Sequence, residues 1–323
     1  MTTWLAQRLV QSVFVVLVMT AIVFVGVNVI GDPVSILISP DANQQERARI
    51  VAEFGLDQPL WSQYLSFLKG TLQGNFGNSF VYGMPALQVI LSRMPATMEL
   101  AIAAILLSVL IGVPLGLYAG LRPHSFFAKF MMAGSILGFS VPLFWLALIL
   151  IMFFSVYLGW LPASGRGQTV DFLGIGWSFF TWDGLSHLCL PVLTLSIFKI
   201  SLIMRMVRAG VREVLPQEYI KFARAKGLSR QRLLYVHVLK NIMIPVVTII
   251  GLEFGSLIAF SVVTESIFSW PGMGKLIIDS INVLDRPMIV AYLMIIVFIF
   301  VTINLIVDIL YTTLDPRVRL SRD

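Results

Sequence analysis

Ionised side chains are scarce here. Asp, Glu, Lys and Arg make up 12% of 323 residues, against 58% of hydrophobic types. A soluble domain carries about 25% charged residues, so this composition excludes one and leaves a polytopic membrane protein. Cysteine occurs once, as Cys189 in an apolar segment, which rules out an intrachain disulfide and a cysteine-based metal cluster. His124, His187 and His237 are too scattered for a single metal site. Signatures of an engine are missing too. A phosphate-binding loop needs G-x-x-x-x-G-K-[ST], and its nearest imitation, Gly272-Met273-Gly274-Lys275-Leu276, lacks the first glycine and the hydroxyl. Neither H-E-x-x-H nor G-x-S-x-G occurs, so nothing marks an intramembrane protease or lipase. Energy for active transport would have to come from another chain.

Apolar runs dominate what is present. Residues 9–30, preceded by Arg8, are long enough to cross a hydrocarbon core of about 30 Å. Gly31-Asp32-Pro33 offers no small-x-small cleavage site, so the run reads as a retained helix with its amino end inside. Residues 31–95 turn polar, with Gly70, Gly74, Gly77 and Gly83 punctuating their second half, and form an expected extracytoplasmic subdomain. Within it Trp61, Tyr64, Phe67, Leu68 and Leu72 recur at helical spacing, as for a helix packed onto the membrane face. Further runs at about 98–121, 130–158, 187–206, 241–265 and 288–310 bring the expected number of spans to six. The fold expected is all-α and polytopic. A first helix covers 1–30, the subdomain 31–95, a five-helix core 96–311 and a tail 312–323, with a cytoplasmic helix between the fourth and fifth spans.

Orientation follows from the basic residues. Arg8, Arg122, Lys129, the cluster within 205–240 and Arg317, Arg319 and Arg322 fall on one side in short segments, whereas Arg47, Arg49, Lys69, Arg93, Arg166, Lys275 and Arg286 are spread over longer loops. By the positive-inside rule both termini are cytoplasmic. The net charge of +6 belongs to that pattern and not to a nucleic-acid surface.

The most cationic stretch is 213–245, with Lys221, Arg224, Lys226, Arg230, Arg232 and Lys240 between two apolar runs. Pro216 suits a first helical position and Gly227 the left-handed turn that ends a helix, which predicts a helix over 217–226. Three- and four-residue spacing puts Tyr219, Phe222 and Ala223 on one face, with Glu218, Lys221 and Arg224 around the rest. Ser229 then caps a second helical stretch. Such a segment can lie on anionic lipid or insert into a groove of a cytoplasmic partner, and physics alone leaves both open. Lys199, Glu253, Glu265 and Asp308 are the ionisable residues within apolar runs; such groups face a bundle interior or a cavity. For Glu253 a packing role and a pathway role both fit. Pro114 and Pro142 break helices, as hinges or as packing features.

Tyr219-Ile220, Ala223-Arg224-Ala225-Lys226-Gly227-Leu228-Ser229, His237, Leu239, Asn241 and Pro245-Val246 together resemble the EAA-type coupling loop of ABC importer permeases, in the wording of the dipeptide/oligopeptide/nickel family. Gly55-Leu56-Asp57-Gln58-Pro59-Leu60, Pro95-Ala96-Thr97-Met98-Glu99-Leu100, Pro142-Leu143-Phe144-Trp145, Ser164-Gly165-Arg166, Glu265 to Gly272 and Asp315-Pro316-Arg317 resemble that family's landmarks in the same order. The leading Glu of the general motif is absent, Asn75 interrupts a Gly-Asp-Leu-Gly-like run, and Leu284-Asp285-Arg286-Pro287 replaces an Arg-Asp-Tyr-Pro-like one. The resemblance implies ATPase coupling through Glu218, Tyr219, Phe222, Ala223, Arg224, Lys226 and Gly227, and a translocation pathway near Pro142, Phe144, Trp145, Glu253 and Glu265. It further implies a second homologous permease, two ABC ATPase subunits and an extracytoplasmic substrate-binding protein as partners, in a bacterial inner membrane. No cofactor would belong to this chain, ATP and magnesium being held by the ATPases. Short peptides are the implied cargo, with nickel complexes, glutathione or other small solutes as alternatives. A stand-alone secondary transporter would ask for an inverted repeat, which is not apparent.

Overall fold

The computed structural model describes residues 2–29, 45 and 57–314, with side chains over 6–26, 45 and 57–310. Gly31-Asp32-Pro33, Arg47, Arg49, Gly55-Leu56 and the tail from residue 315, with Arg317, Arg319 and Arg322, lie outside the described residues. Two compact units are present, Met1–Ser92 with Leu276–Val301 and Arg93–Lys275 with Thr302–Asp323.

In the first unit, helix α1 (Thr2–Val29) carries the amino-terminal apolar run, and α2 (Leu60–Leu72) packs beside it. The Tyr64 hydroxyl lies 2.8 Å from Thr20 Oγ1, and Phe24 meets the rings of Tyr64 and Phe67 at 5.4 and 5.8 Å. The aromatic stripe of α2 therefore uses Tyr64 and Phe67 to grip α1, while Trp61 and Leu72 stay exposed. A turn at 79–85 is held by Asp285, a fully buried carboxylate that accepts from the Ser79 hydroxyl and from the amides of Phe80 (3.2 Å) and Val81 (3.4 Å). Asp285 also accepts from Met288 N at 3.4 Å, as a cap of the last long helix must.

In the second unit the helices are long and apolar. The helix α3 (Ala86–Leu121) begins well ahead of the expected 98, running through Pro95 and Pro114. The run expected as a span at 130–158, with Pro142 breaking it, is two helices, α4 (Phe126–Ser140) and α5 (Leu143–Leu150, continued as a π-helix over Ile151–Tyr157), bent by 106°. Proline explains the break, because its ring drives the preceding residue out of the α region and it has no N–H to donate. Val141 and Pro142 accordingly adopt extended angles, with ψ of 127° and 136°. A two-stranded antiparallel ribbon, β1 (Val170–Phe172) and β2 (Ile175–Trp177), is a small exception to an otherwise helical chain.

Several elements of this unit, α4 and α5 among them, pack on α6 (Trp182–Val214), capped by Thr181, which accepts from Gly184 N at 2.9 Å. Its 33 residues, at 1.5 Å each, span about 50 Å. That exceeds a hydrocarbon core of about 30 Å, so one end projects beyond the bilayer. After α6 come α7 (Glu218–Ala225), a turn Arg230–Arg232, a π-helical stretch Leu233–Leu239, α8 (Lys240–Phe260) and α9 (Val262–Ile267); α10 (Met273–Asn282) and α11 (Arg286–Leu314) follow in the chain, their residues Leu276–Val301 belonging to the first unit. Among the described residues five helices are long and apolar enough to cross a membrane, and six if the bent pair makes one span.

Small residues let α3 and α6 approach closely. A Cβ on Gly116 would sit 2.7 Å from the Met204 carbonyl oxygen and 2.7 Å from Val207 Cβ, and one on Gly120 would sit 2.6 Å from Val211 Cβ. Backbone cannot swing aside as a side chain does. Gly116→Ala is therefore expected to destabilise the purified protein by about 1–3 kcal/mol through overpacking. Gly26→Ala, where a Cβ meets nothing within 4 Å, serves as the control in the same thermal-melting series.

Candidate functional site

The projecting end of α6 carries a hydrocarbon surface on which the short helix α7 rests. Val207 and Val211 of α6 join Ile220 and Ala223 of α7 in one buried cluster, together with Leu233, Val238, Ile242 and Val246 of the following helical stretch. The sequence predicts a helix over 217–226; the helix observed is Glu218–Ala225, with Gln217 and Lys226 at its ends. Pro216 lies one residue ahead of the N-terminal cap, in the turn leaving α6, and not at the first helical position. The helix stops as the glycine predicts. Gly227 has φ +76°, its N–H reaches the Arg224 carbonyl at 3.0 Å, and the Leu228 N–H reaches the Ala223 carbonyl at 3.3 Å. This paired closure is the Schellman arrangement, and Leu228 adds its side chain to the same cluster. Ser229 caps the next turn, accepting from Arg232 N at 3.4 Å.

Burial separates the faces of α7. Tyr219 is 42% exposed and Phe222 61%, so the two rings face outward. Ala223, expected to share their face, is only 6% exposed and points into the cluster beside Ile220. Its four-residue spacing from Tyr219 puts it at the edge of that face, and the apolar end of α6 claims it. Phe222 carries the Lys226 ammonium over its ring at 4.5 Å, a cation–π contact that leaves the charge at the surface. Glu218 pairs with Lys221 at 2.7 Å, one turn apart and exposed. Asn241 Nδ2 donates to the Tyr219 hydroxyl at 3.0 Å and to the His237 carbonyl at 2.6 Å, tying the short helix to the start of α8. Arg224 is exposed.

The five residues expected near a pathway do not form one constellation. Pro142 makes the break before α5, and Phe144 and Trp145 stand half-exposed on that helix's first turn. Glu253 of α8 is paired with Lys199 of α6, and the lysine also lies 5.2 Å from the Phe198 ring. Glu265, on α9, is fully buried and takes hydrogen bonds from the Thr97 hydroxyl (2.7 Å), the Ser261 hydroxyl (2.8 Å) and the Lys275 amide (3.0 Å). Nearby, Met273 N donates to Thr97 Oγ1 at 2.8 Å and Trp270 Nε1 to the Ala96 carbonyl at 2.8 Å. Glu265 thus acts as the centre of a closed polar knot, not as a free group. Sequence reading missed Asn241 as a partner of Tyr219, although its place inside the loop motif was a signal. It also did not single out Glu99, which is fully buried against Arg166 (2.8 Å) and Ser178 N (2.5 Å), although Glu99 and Arg166 each fall in one of the landmark runs quoted above.

Residues 112–320 match the family model described as binding-protein-dependent transport system inner membrane component, and residues 1–101 match the model of that component's N-terminal region. The chain belongs to this family. It is 37% identical to the dipeptide transport system permease protein DppB of Escherichia coli, over 93% of this chain and 94% of that one. It is 38% identical to the di/tripeptide transport system permease protein DppB of Pseudomonas aeruginosa, over the whole of both. The oligopeptide transport system permease protein AppB of Bacillus subtilis is likewise 38% identical, over 98% of this chain and 99% of that one. Among solved structures, an inward-facing MetNI methionine ABC transporter shares the fold, with a TM-score of 0.55 at 17% identity over 71% of this chain and 97% of that one. The chain is therefore a multi-pass membrane permease of the peptide branch, and the short helix lies within the matched core.

Two outcomes test this site. Gly227→Val forces a β-branched residue into a left-handed conformation at a cost of about 1–2 kcal/mol. Hydrogen exchange at the amides of 218–228 should accelerate, and less so for Gly227→Asn. Glu265→Ala strands two hydroxyls and an amide, each worth about 1–3 kcal/mol when buried without a partner. Its thermal midpoint should fall well below that of Glu218→Ala, whose carboxylate is solvated.

Proposed function

We propose that this chain is the membrane-spanning permease subunit of an ATP-driven importer of short peptides, and that α7 is the part an ATPase subunit grips. One observation carries the reading. Two aromatic rings, Tyr219 and Phe222, are presented to solvent from a helix whose opposite face is locked into a hydrocarbon cluster. A solvated amphipathic helix has no need of that rigidity; an aromatic anchor for a partner's groove does. Peptide cargo is supported by the relatives, which are permeases of dipeptide, di/tripeptide and oligopeptide systems.

In this mechanism Tyr219 and Phe222 enter the ATPase groove, with Glu218, Arg224 and Lys226 around its rim. Ala223 and Gly227 act from behind: Ala223 seats the helix on α6, and Gly227 ends it in time for the chain to turn into α8. Because Val207 and Val211 share a cluster with α7, a displacement of the short helix is delivered to α6 and, through Ile242 and Val246, to α8. A second homologous permease completes the pathway, two ATPase subunits hold ATP and magnesium, and an extracytoplasmic binding protein delivers cargo. Both termini lie in the cytoplasm. Pro142, Phe144, Trp145 and Glu253 belong to the pathway side of α5 and α8, and Glu265 holds the outer loops in place.

The test is Phe222→Asp. Removing one aromatic anchor is expected to weaken ATPase docking about 30-fold, the equivalent of ~2 kcal/mol at an interface hot spot. Peptide uptake should be lost while the protein remains in the membrane and melts at the parental temperature. Normal uptake by this variant would defeat the coupling role.

A further inference from the structure

The β1–β2 ribbon has an apolar face that the proposed function leaves unused. Its register pairs Val170 with Trp177 and Phe172 with Ile175, so these four side chains share one face. Asp171 and Gly176 take the other. Val170, Phe172 and Ile175 are all exposed. At the tip, Leu173 and Gly174 have φ of 57° and 77°, which makes a two-residue turn of the I′ type. That turn favours Asn or Asp before Gly, yet the position holds a leucine that is 86% exposed. A strained backbone that displays an apolar side chain to solvent points to a use for that side chain.

We propose that this ribbon is an interfacial anchor, its Val170–Phe172–Leu173–Ile175 face lying in the outer headgroup and acyl boundary of the bilayer. Three observations single out lipid as the occupant. The ribbon lies between the bent pair ending at Tyr157 and the membrane helix beginning at Trp182, so both its ends adjoin span ends, on the outer side given the cytoplasmic termini of the proposed function. Its apolar face is continuous with the start of that helix, because Phe172 meets Phe180 at 5.8 Å and Trp182, two residues on, is 90% exposed. Its charges are turned away or occupied: Asp171 is on the opposite face, and Asp183 accepts from Gln168 N at 2.6 Å. Aromatic and leucine side chains beside span ends are those that favour the membrane–water boundary. The ribbon is also held firmly enough to act as an anchor. Arg166, paired with buried Glu99, donates to the Gly176 carbonyl at 2.6 Å, and Glu99 takes the amide of Ser178 just past β2.

The experiment uses nanodiscs containing the assembled importer with cysteine-free partner subunits. Cys189→Ser removes this chain's one thiol, and Leu173→Cys, Phe172→Cys or Asp171→Cys then carries an environment-sensitive NBD dye. Dyes at 172 and 173 should emit at shorter wavelength than the dye at 171 and be quenched by a spin label about 5–10 Å below the headgroups. The dye at 171 should be quenched by aqueous iodide, and neither pattern should change when the binding protein is added. Iodide quenching at 173 equal to that at 171 would overturn the proposal. So would a blue shift at 173 that appears only with the binding protein, which would give the face to that protein instead.

Discussion

Glu99, Glu265 and Asp285 are withdrawn completely from solvent, and each is surrounded by donors drawn from distant parts of the chain. A carboxyl group out of water is tolerated only when its oxygens are occupied by hydrogen bonds or an opposite charge. That requirement shapes the loops. Glu99 holds Arg166 and Ser178, and so the ribbon between them; Glu265 holds Ser261, Lys275 and Thr97; Asp285 holds the turn at 79–85. Around Glu265 these bonds work together with buried hydrocarbon, Phe268, Trp270 and Met273 being withdrawn from solvent in the same segment.

The short helix depends on a different constraint, the excess length of α6. Because that helix outruns the bilayer, its last turns present Val207 and Val211 to whatever follows in sequence, and α7 covers them with Ile220 and Ala223. The residues left outward are the ones that packing does not need. Tyr219 and Phe222 are thus displayed by elimination, while the hydrogen bond from Asn241 fixes the direction of Tyr219.

Much of this was legible in the amino acids. Apolar runs marked the membrane helices, Gly227 marked the end of α7, and Ser229 marked the next cap, because each rests on local chemistry. Contacts between distant residues were not. Ala223 was assigned outward since spacing on an isolated helix cannot say which neighbour will cover its edge. The partnership of Lys199 with Glu253 required two helices to meet at one depth, and nothing local to either residue specifies that. Pro142 was recognised as a breaker, but a bend of 106° exceeds the kink expected of a proline inside one helix. The extended conformation of Val141 together with Pro142 separates the two segments outright.

The flush contact along Gly112, Gly116 and Gly120 bears on how a movement is conveyed. Helices packed this closely along several turns, glycine against branched side chains and carbonyl oxygens, cannot bow independently, since curvature in one drives atoms of the other into overlap. Together they behave as a beam of doubled thickness, far stiffer against bending than a single rod. A push delivered through α7 to the end of α6, as the proposed coupling requires, would then not be spent on flexing; it would emerge as tilt, with the ends of the beam swinging in opposite directions about a fulcrum between them.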